Sequence, residues 1–85
     1  MGRFKAVIEV WLKKGLVDAE GQTVKEALND LGYKVTSARV GKIYHIVLEA
    51  QSKLEAEKIV DEICRRLLAN PVKDNYSFKV EEEEQ

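Results

Sequence analysis

Leu67-Leu68-Ala69-Asn70-Pro71-Val72, followed by Lys73-Asp74-Asn75-Tyr76, is where a helix stops and a final strand begins. Asn tolerates the left-handed conformation that closes a helix, and Pro cannot continue one. The helix is therefore predicted to end near Leu68 with Asn70 as its left-handed stop. Tyr76, Phe78 and Val80 then alternate, as a strand with one apolar face does.

Working back from this junction, Ser52-Lys53-Leu54-Glu55 reads as a capping box, with the Ser hydroxyl serving the Glu55 amide and the Glu55 side chain reaching back. Ala56, Ile59, Val60, Ile63 and Leu67 form the apolar stripe of the helix it starts, and Cys64 falls on that stripe as a small buried hydrophobe. Further upstream, Val35 to Val40 and Ile43 to Ala50 read as extended segments joined through Gly41-Lys42, the tip of a hairpin. Before them Asp18 is predicted to cap a helix with Glu20 in its first turn. Val24, Ala27, Leu28 and Leu31 make its stripe, and Gly32 its left-handed end. The chain begins with a strand over Phe4 to Leu12, in which Phe4, Ala6, Ile8, Val10 and Leu12 share one face.

The predicted order is β-α-β-β-α-β, an α+β domain of ferredoxin-like type with a four-stranded antiparallel sheet and both helices on one face. The other face then shows Val7, Trp11, Ile43 and Val47 beside Lys5, Glu9, Arg39 and His45. So large an apolar patch calls for an oligomer or partner interface, with Arg39 and Lys42 at its rim. Residues 1–85 are expected to form one domain, with 81–85 as a frayed acidic tail.

Composition narrows the function. A formal net charge of -1 lacks the basic excess of a nucleic-acid binder, and Trp11 is the one aromatic on the open face that could stack a base. Cys64 is the only cysteine and His45 the only histidine, so neither a disulfide nor a Cys/His metal cage nor a Ser-His-Asp set can be built. The first loop, Lys14-Gly15-Leu16-Val17-Asp18, has neither the arginine of a phosphate-cradling phosphatase nor the paired cysteines of a metallochaperone. No apolar run is long enough to span a membrane, and the first residues lack the pattern of a signal peptide or a myristoylation site. A cytoplasmic protein is the expectation. No catalytic, cofactor-binding or metal site is predicted.

Four strings, in order, resemble the PurS family, the small subunit of phosphoribosylformylglycinamidine synthase. They are Leu12 to Asp18 with Lys14, Gly15 and Gly21; Ala27 to Tyr33; Val40-Gly41-Lys42; and Leu67 to Val72 with Asn70 and Pro71, followed by Asp74 and Tyr76. The departure is Ala19, where family members usually carry Pro. Pro suits the first helical position, but Ala is the best helix former. The resemblance implies a non-catalytic homodimer in purine biosynthesis that joins a glutaminase subunit to a large synthetase subunit, so that ammonia passes between them. It implies ATP and Mg²⁺ in the synthetase and no cofactor in this chain. The rival is a ligand-sensing domain of the ACT type, which has the same element order and dimerises. It would place its effector near Gly15, but has no need of the Asn-Pro-Val stop or of Gly41-Lys42.

Overall fold

The computed structural model describes residues 1–83. The alternating run forms β1 (Gly2–Leu12), followed by α1 (Ala19–Asp30), β2 (Lys42–Ala50), α2 (Lys53–Ile63), one π turn (Cys64–Leu68) and β3 (Asp74–Glu82). The sheet is antiparallel with β1 in the middle, in the order β2-β1-β3. Its register sets Ile8 between Tyr44 and Phe78, and Ala6 between Ile46 and Val80. One face of the central strand is thus sealed: Phe4, Ala6, Ile8 and Val10 are buried with Ala50, Ala56, Val60, Cys64, Ala69 and Val80.

Two expectations fail together. The sheet has three strands, not four, because 35–40 pairs with no strand and Gly41-Lys42 is not a hairpin tip. That segment instead spends its polar groups on α1 and its cap. Val35 donates its amide to Asn29 Oδ1 (2.9 Å) and accepts from Asn29 Nδ2 (3.2 Å), and Val40 donates to Asp18 Oδ2 (2.9 Å). Nor do both helices cover one face. Only α2 packs across the strands, while α1 and the segment returning from it stand clear of the sheet as an arm. The molecule accordingly extends 52 × 31 × 14 Å, with a radius of gyration of 16.6 Å. A compact chain of this length has about 12 Å.

Both helix starts behave as the sequence predicts. Asp18 accepts the Gly21 amide at 2.8 Å, and Ser52 Oγ accepts the Glu55 amide at 3.1 Å, although the Glu55 carboxylate returns to the amide of Gln51 rather than Ser52. Gly32 closes α1 at φ 100°. The end of α2 differs. Among the described residues none other than glycine has positive φ, so Asn70 is not left-handed. The helix widens into a π turn, closed by the Ala69 amide on the Cys64 carbonyl at 2.9 Å, and then stops. The extra residue rotates Leu67 off the predicted stripe and leaves it 80% exposed. Cys64 is buried, as expected. The acidic tail is also shorter than expected. Glu81 faces Lys5 across the ladder and pairs with Lys79 at 3.2 Å, and the Glu83 amide bonds the Arg3 carbonyl. Residues 81–83 are therefore held, and 84–85 lie outside the described residues.

Candidate functional site

Most of the motif residues converge on one end of the sheet, where β1 runs out and the arm begins. Gly15 turns the chain at φ 87°, a conformation that only glycine adopts without strain. Asp18 follows, and both of its carboxylate oxygens are used: Oδ1 by the Gly21 amide and Oδ2 by the Val40 amide. These two donors, Val40 first, hold its pKa below the usual carboxylate value, with the Arg39 charge a lesser contribution. Gly21 is buried because the Ala38 carbonyl passes so close that a β-carbon would lie 2.4 Å from it.

Arg39 closes the same end from the other side. Its guanidinium donates to the Leu12 carbonyl (3.0 Å) and lies 5.2 Å from the Trp11 ring centroid, within cation–π range. The indole N–H donates to Glu9 at 3.2 Å. Gly41 runs against the indole so closely that a β-carbon would come within 2.6 Å of it. Gly41 is thus a close-approach glycine, and Lys42 is the first residue of β2. Between these groups lies an open cleft of about 220 Å³, lined by Val10, Leu12, Asp18, Glu20, Val40, Gly41, Lys42 and Asp74.

The helix-stop string meets this end through Lys13. Its amide bonds the Lys73 carbonyl (2.7 Å) and its ammonium the Pro71 carbonyl (3.0 Å). Asn70 works through its side chain, which accepts the amides of Val72 (2.9 Å) and Lys73 (3.3 Å), while Asp74 accepts the Asn70 amide (2.9 Å). Tyr76 stands apart from the cluster. Its hydroxyl donates to Asp61 at 2.6 Å, joined by Arg65 at 2.8 Å, which ties α2 to β3. The Tyr76 hydroxyl first, and Arg65 second, hold the Asp61 carboxyl below its usual range, while the same bond raises the Tyr76 phenol.

Lys14 is exposed in the first loop. Val7, Trp11, Ile43 and Val47 share the open face as predicted: the first two are half-buried, and Ile43 and Val47 are 64% and 52% exposed. Trp11 is not a bare anchor, since Arg39 and Gly41 cover part of its ring. Sequence reasoning missed Asp61, and it had Lys13, Asn29 and Asp74 only as letters of the motif strings, without their roles. For Asn29 a signal was available, a side-chain amide in the last turn of a helix, where Asn competes for backbone bonds rather than favouring the helix.

The Asp18 carboxylate is consumed by amides, the Arg39 guanidinium by a carbonyl and a ring, and Gly21 and Gly41 by close approach. Among the described residues no three His, Cys, Asp or Glu side chains are grouped as metal ligands, and no helix is long and apolar enough to cross a membrane. Such an arrangement fixes backbone and presents surface, as an assembly module does. The family model PurS, phosphoribosylformylglycinamidine (FGAM) synthase, matches residues 5–82. The phosphoribosylformylglycinamidine synthase subunit PurS of Methanocaldococcus jannaschii is 39% identical over 79 residues, 92% of this chain and 95% of that one. Its Bacillus subtilis counterpart is 35% identical over 80 residues, 93% and 94% of the two chains. The crystal structure of M. jannaschii PurS, one of the subunits of formylglycinamide ribonucleotide amidotransferase in the purine biosynthetic pathway, matches with a TM-score of 0.85 at 38% identity. It covers 95% of this chain and 99% of that one. A chain in the structure of PurLQS from Thermotoga maritima matches with a TM-score of 0.84 at 36% identity, covering 98% and 100%. The chain belongs to the PurS family. That match, over nearly the whole length, displaces the effector-domain reading.

Proposed function

We propose that this chain is the small, non-catalytic subunit of phosphoribosylformylglycinamidine synthase, and that it joins a glutaminase subunit to an ATP- and Mg²⁺-dependent synthetase subunit in the cytoplasm. The observation that carries this reading is the use of the motif side chains. Asp18, Arg39, Gly21 and Gly41 hold the arm to the end of the sheet instead of standing ready for acid–base or nucleophilic work. The chemistry then belongs to the partners. The glutaminase releases ammonia, and the synthetase phosphorylates the amide oxygen of formylglycinamide ribonucleotide and replaces it with nitrogen. Ammonia released to bulk water would be diluted and protonated to a non-nucleophilic ion, so a subunit that holds the two active sites together raises the yield of transfer.

Residues 1–85 act as one domain in this reading. The open sheet face of Val7, Trp11, Ile43 and Val47 pairs two copies, and the exposed Lys42 with Arg39 at the sheet end meets a partner subunit. An uncovered apolar face on a thin sheet supports the pairing.

The test is reconstitution. The purified chain, a glutaminase subunit and a synthetase subunit are combined with glutamine, ATP, Mg²⁺ and formylglycinamide ribonucleotide, then each protein is withheld in turn. Glutamine-dependent amidination should require all three proteins. Turnover by this chain alone, or undiminished glutamine-dependent turnover without it, overturns the proposal.

A further inference from the structure

Trp11 is the only tryptophan of the chain, and it stands past the last pair of the β1–β2 ladder, Val10 with Lys42. On its other side its ladder partner is Asn75 of β3. Arg39 and Gly41 cover part of the indole. The remainder opens on a hollow of about 380 Å³, which Trp11 lines with Leu12, Lys14, Arg39 and Asn75. Small-molecule sites measure about 300–1,000 Å³. Lys42 and Asp74 belong to the cleft described above and not to this hollow.

Lys14 and Arg39 give the hollow positive charge with no anion to match it. Among the described residues neither has a carboxylate within ion-pair distance, whereas Arg65 and Arg66 each hold one. Asp18 is the carboxylate that feels the Arg39 charge, but both of its oxygens are given to the Gly21 and Val40 amides. Arg39 donates to the Leu12 carbonyl, which fixes its guanidinium and leaves most of its N–H donors unspent. Lys14 and Asn75 are exposed, with the ammonium and the side-chain amide reachable from water.

We propose that this hollow binds a nucleoside phosphate, with the phosphate between the Lys14 ammonium and the Arg39 guanidinium and the base against the open part of the Trp11 indole. A guanidinium fork beside an ammonium point charge suits phosphate oxygens, and an aromatic ring offers a stacking surface to any base. A simple carboxylate would leave the indole unused. A polynucleotide would need a basic track leading out of the hollow. Along the open face the next group is the Glu9 carboxylate, which accepts the indole N–H at 3.2 Å, and the Lys13 ammonium is spent on the Pro71 carbonyl. The ligand is therefore a free nucleotide. This site does not rest on the role in amidation.

The experiment uses the full chain labelled with nitrogen-15. The single indole N–H resonance of Trp11 is followed at low salt while adenosine monophosphate, inorganic phosphate or adenosine is added, and equilibrium dialysis counts the bound nucleotide. Adenosine monophosphate should shift the resonance saturably and bind about tenfold or more tightly than phosphate or adenosine alone. Lys14→Gln, an exposed change that disturbs no bond of the arm, should weaken nucleotide binding about tenfold, the loss expected of one charge-assisted bond, with the unfolding midpoint unchanged. Asn75→Asp, which sets a carboxylate in the hollow, should weaken it as well. The inference is overturned by the absence of a saturable shift, by phosphate or adenosine binding as tightly as the nucleotide, or by unchanged binding in either variant. A chain that supports amidation on reconstitution and ignores the nucleotide sinks this inference alone.

Discussion

The carboxylate of Asp18 accepts the amide hydrogen of Val40 at 2.9 Å across 22 residues of chain, while its other oxygen caps the helix that starts beside it. One side chain therefore fixes both the departure of the arm and its return. Because those amides favour the ionised form, the folded state holds this carboxyl at a lower pKa than the unfolded chain does. Its stabilising contribution is full above the unfolded value and is lost as pH falls through the folded one. Stability of the wild type should decline below about pH 4. Asp18→Asn should be less stable at neutral pH and show a shallower acid decline, measured by urea midpoints between pH 6 and pH 3.

Gly41 and Gly21 should resist even alanine. A methyl group at Gly41 meets the Trp11 ring at 2.6 Å, and one at Gly21 meets the Ala38 carbonyl at 2.4 Å. Each substitution should cost about 1–3 kcal/mol in denaturant unfolding. Gly41→Ala should also shift the Trp11 fluorescence maximum, and Gly21→Ala should not.

At the helix stop, the observed conformation reverses an expectation. A left-handed Asn70 would be replaced well by Gly, but Asn70 has negative φ and acts through its side-chain oxygen. Asn70→Asp should retain most of the stability, and Asn70→Gly and Asn70→Ala should each lose about 1–2 kcal/mol by thermal unfolding. Rescue by Gly would restore the left-handed reading.

A charge on the open face tests the proposed pairing. Val47→Glu lies opposite Lys5 in the ladder and disturbs no hydrogen-bonded side chain, so folding should survive with a change within about 0.5 kcal/mol. Self-association by analytical ultracentrifugation should weaken at least tenfold. Trp11 is the poorer probe because its loss also frees Arg39.

Lys42→Glu tests the sheet end. The side chain is exposed at the first residue of β2, and its reversal should leave the unfolding midpoint within about 0.5 kcal/mol of wild type. Pull-down by the synthetase or glutaminase subunit should fall. Normal capture by both would assign Lys42 no part in docking.

The legible parts of the fold were those with a local cause. The alternation of Phe4 to Leu12, the caps at Asp18 and Ser52, and the glycine stop at Gly32 each follow from neighbouring residues, and each is found. The four-stranded sheet failed because its missing strand depended on a competition invisible to periodicity. Segment 35–40 has the composition of a strand, but Asn29 and Asp18 offer it side-chain partners close to its own helix. The motif residues were found as strings without their roles. Gly41 looked like a turn because Trp11, 30 positions earlier, leaves no mark beside it.

The π turn at Cys64–Leu68 adds one residue to a helical turn, and in a strand a shift of one residue exchanges the two sides. Residues 69–73 separate that turn from β3 and give the chain room to absorb the surplus. Phe78 lies opposite Ile8 and Val80 opposite Ala6. The strand's own alternation, not the helix before it, decides which half of β3 stays dry.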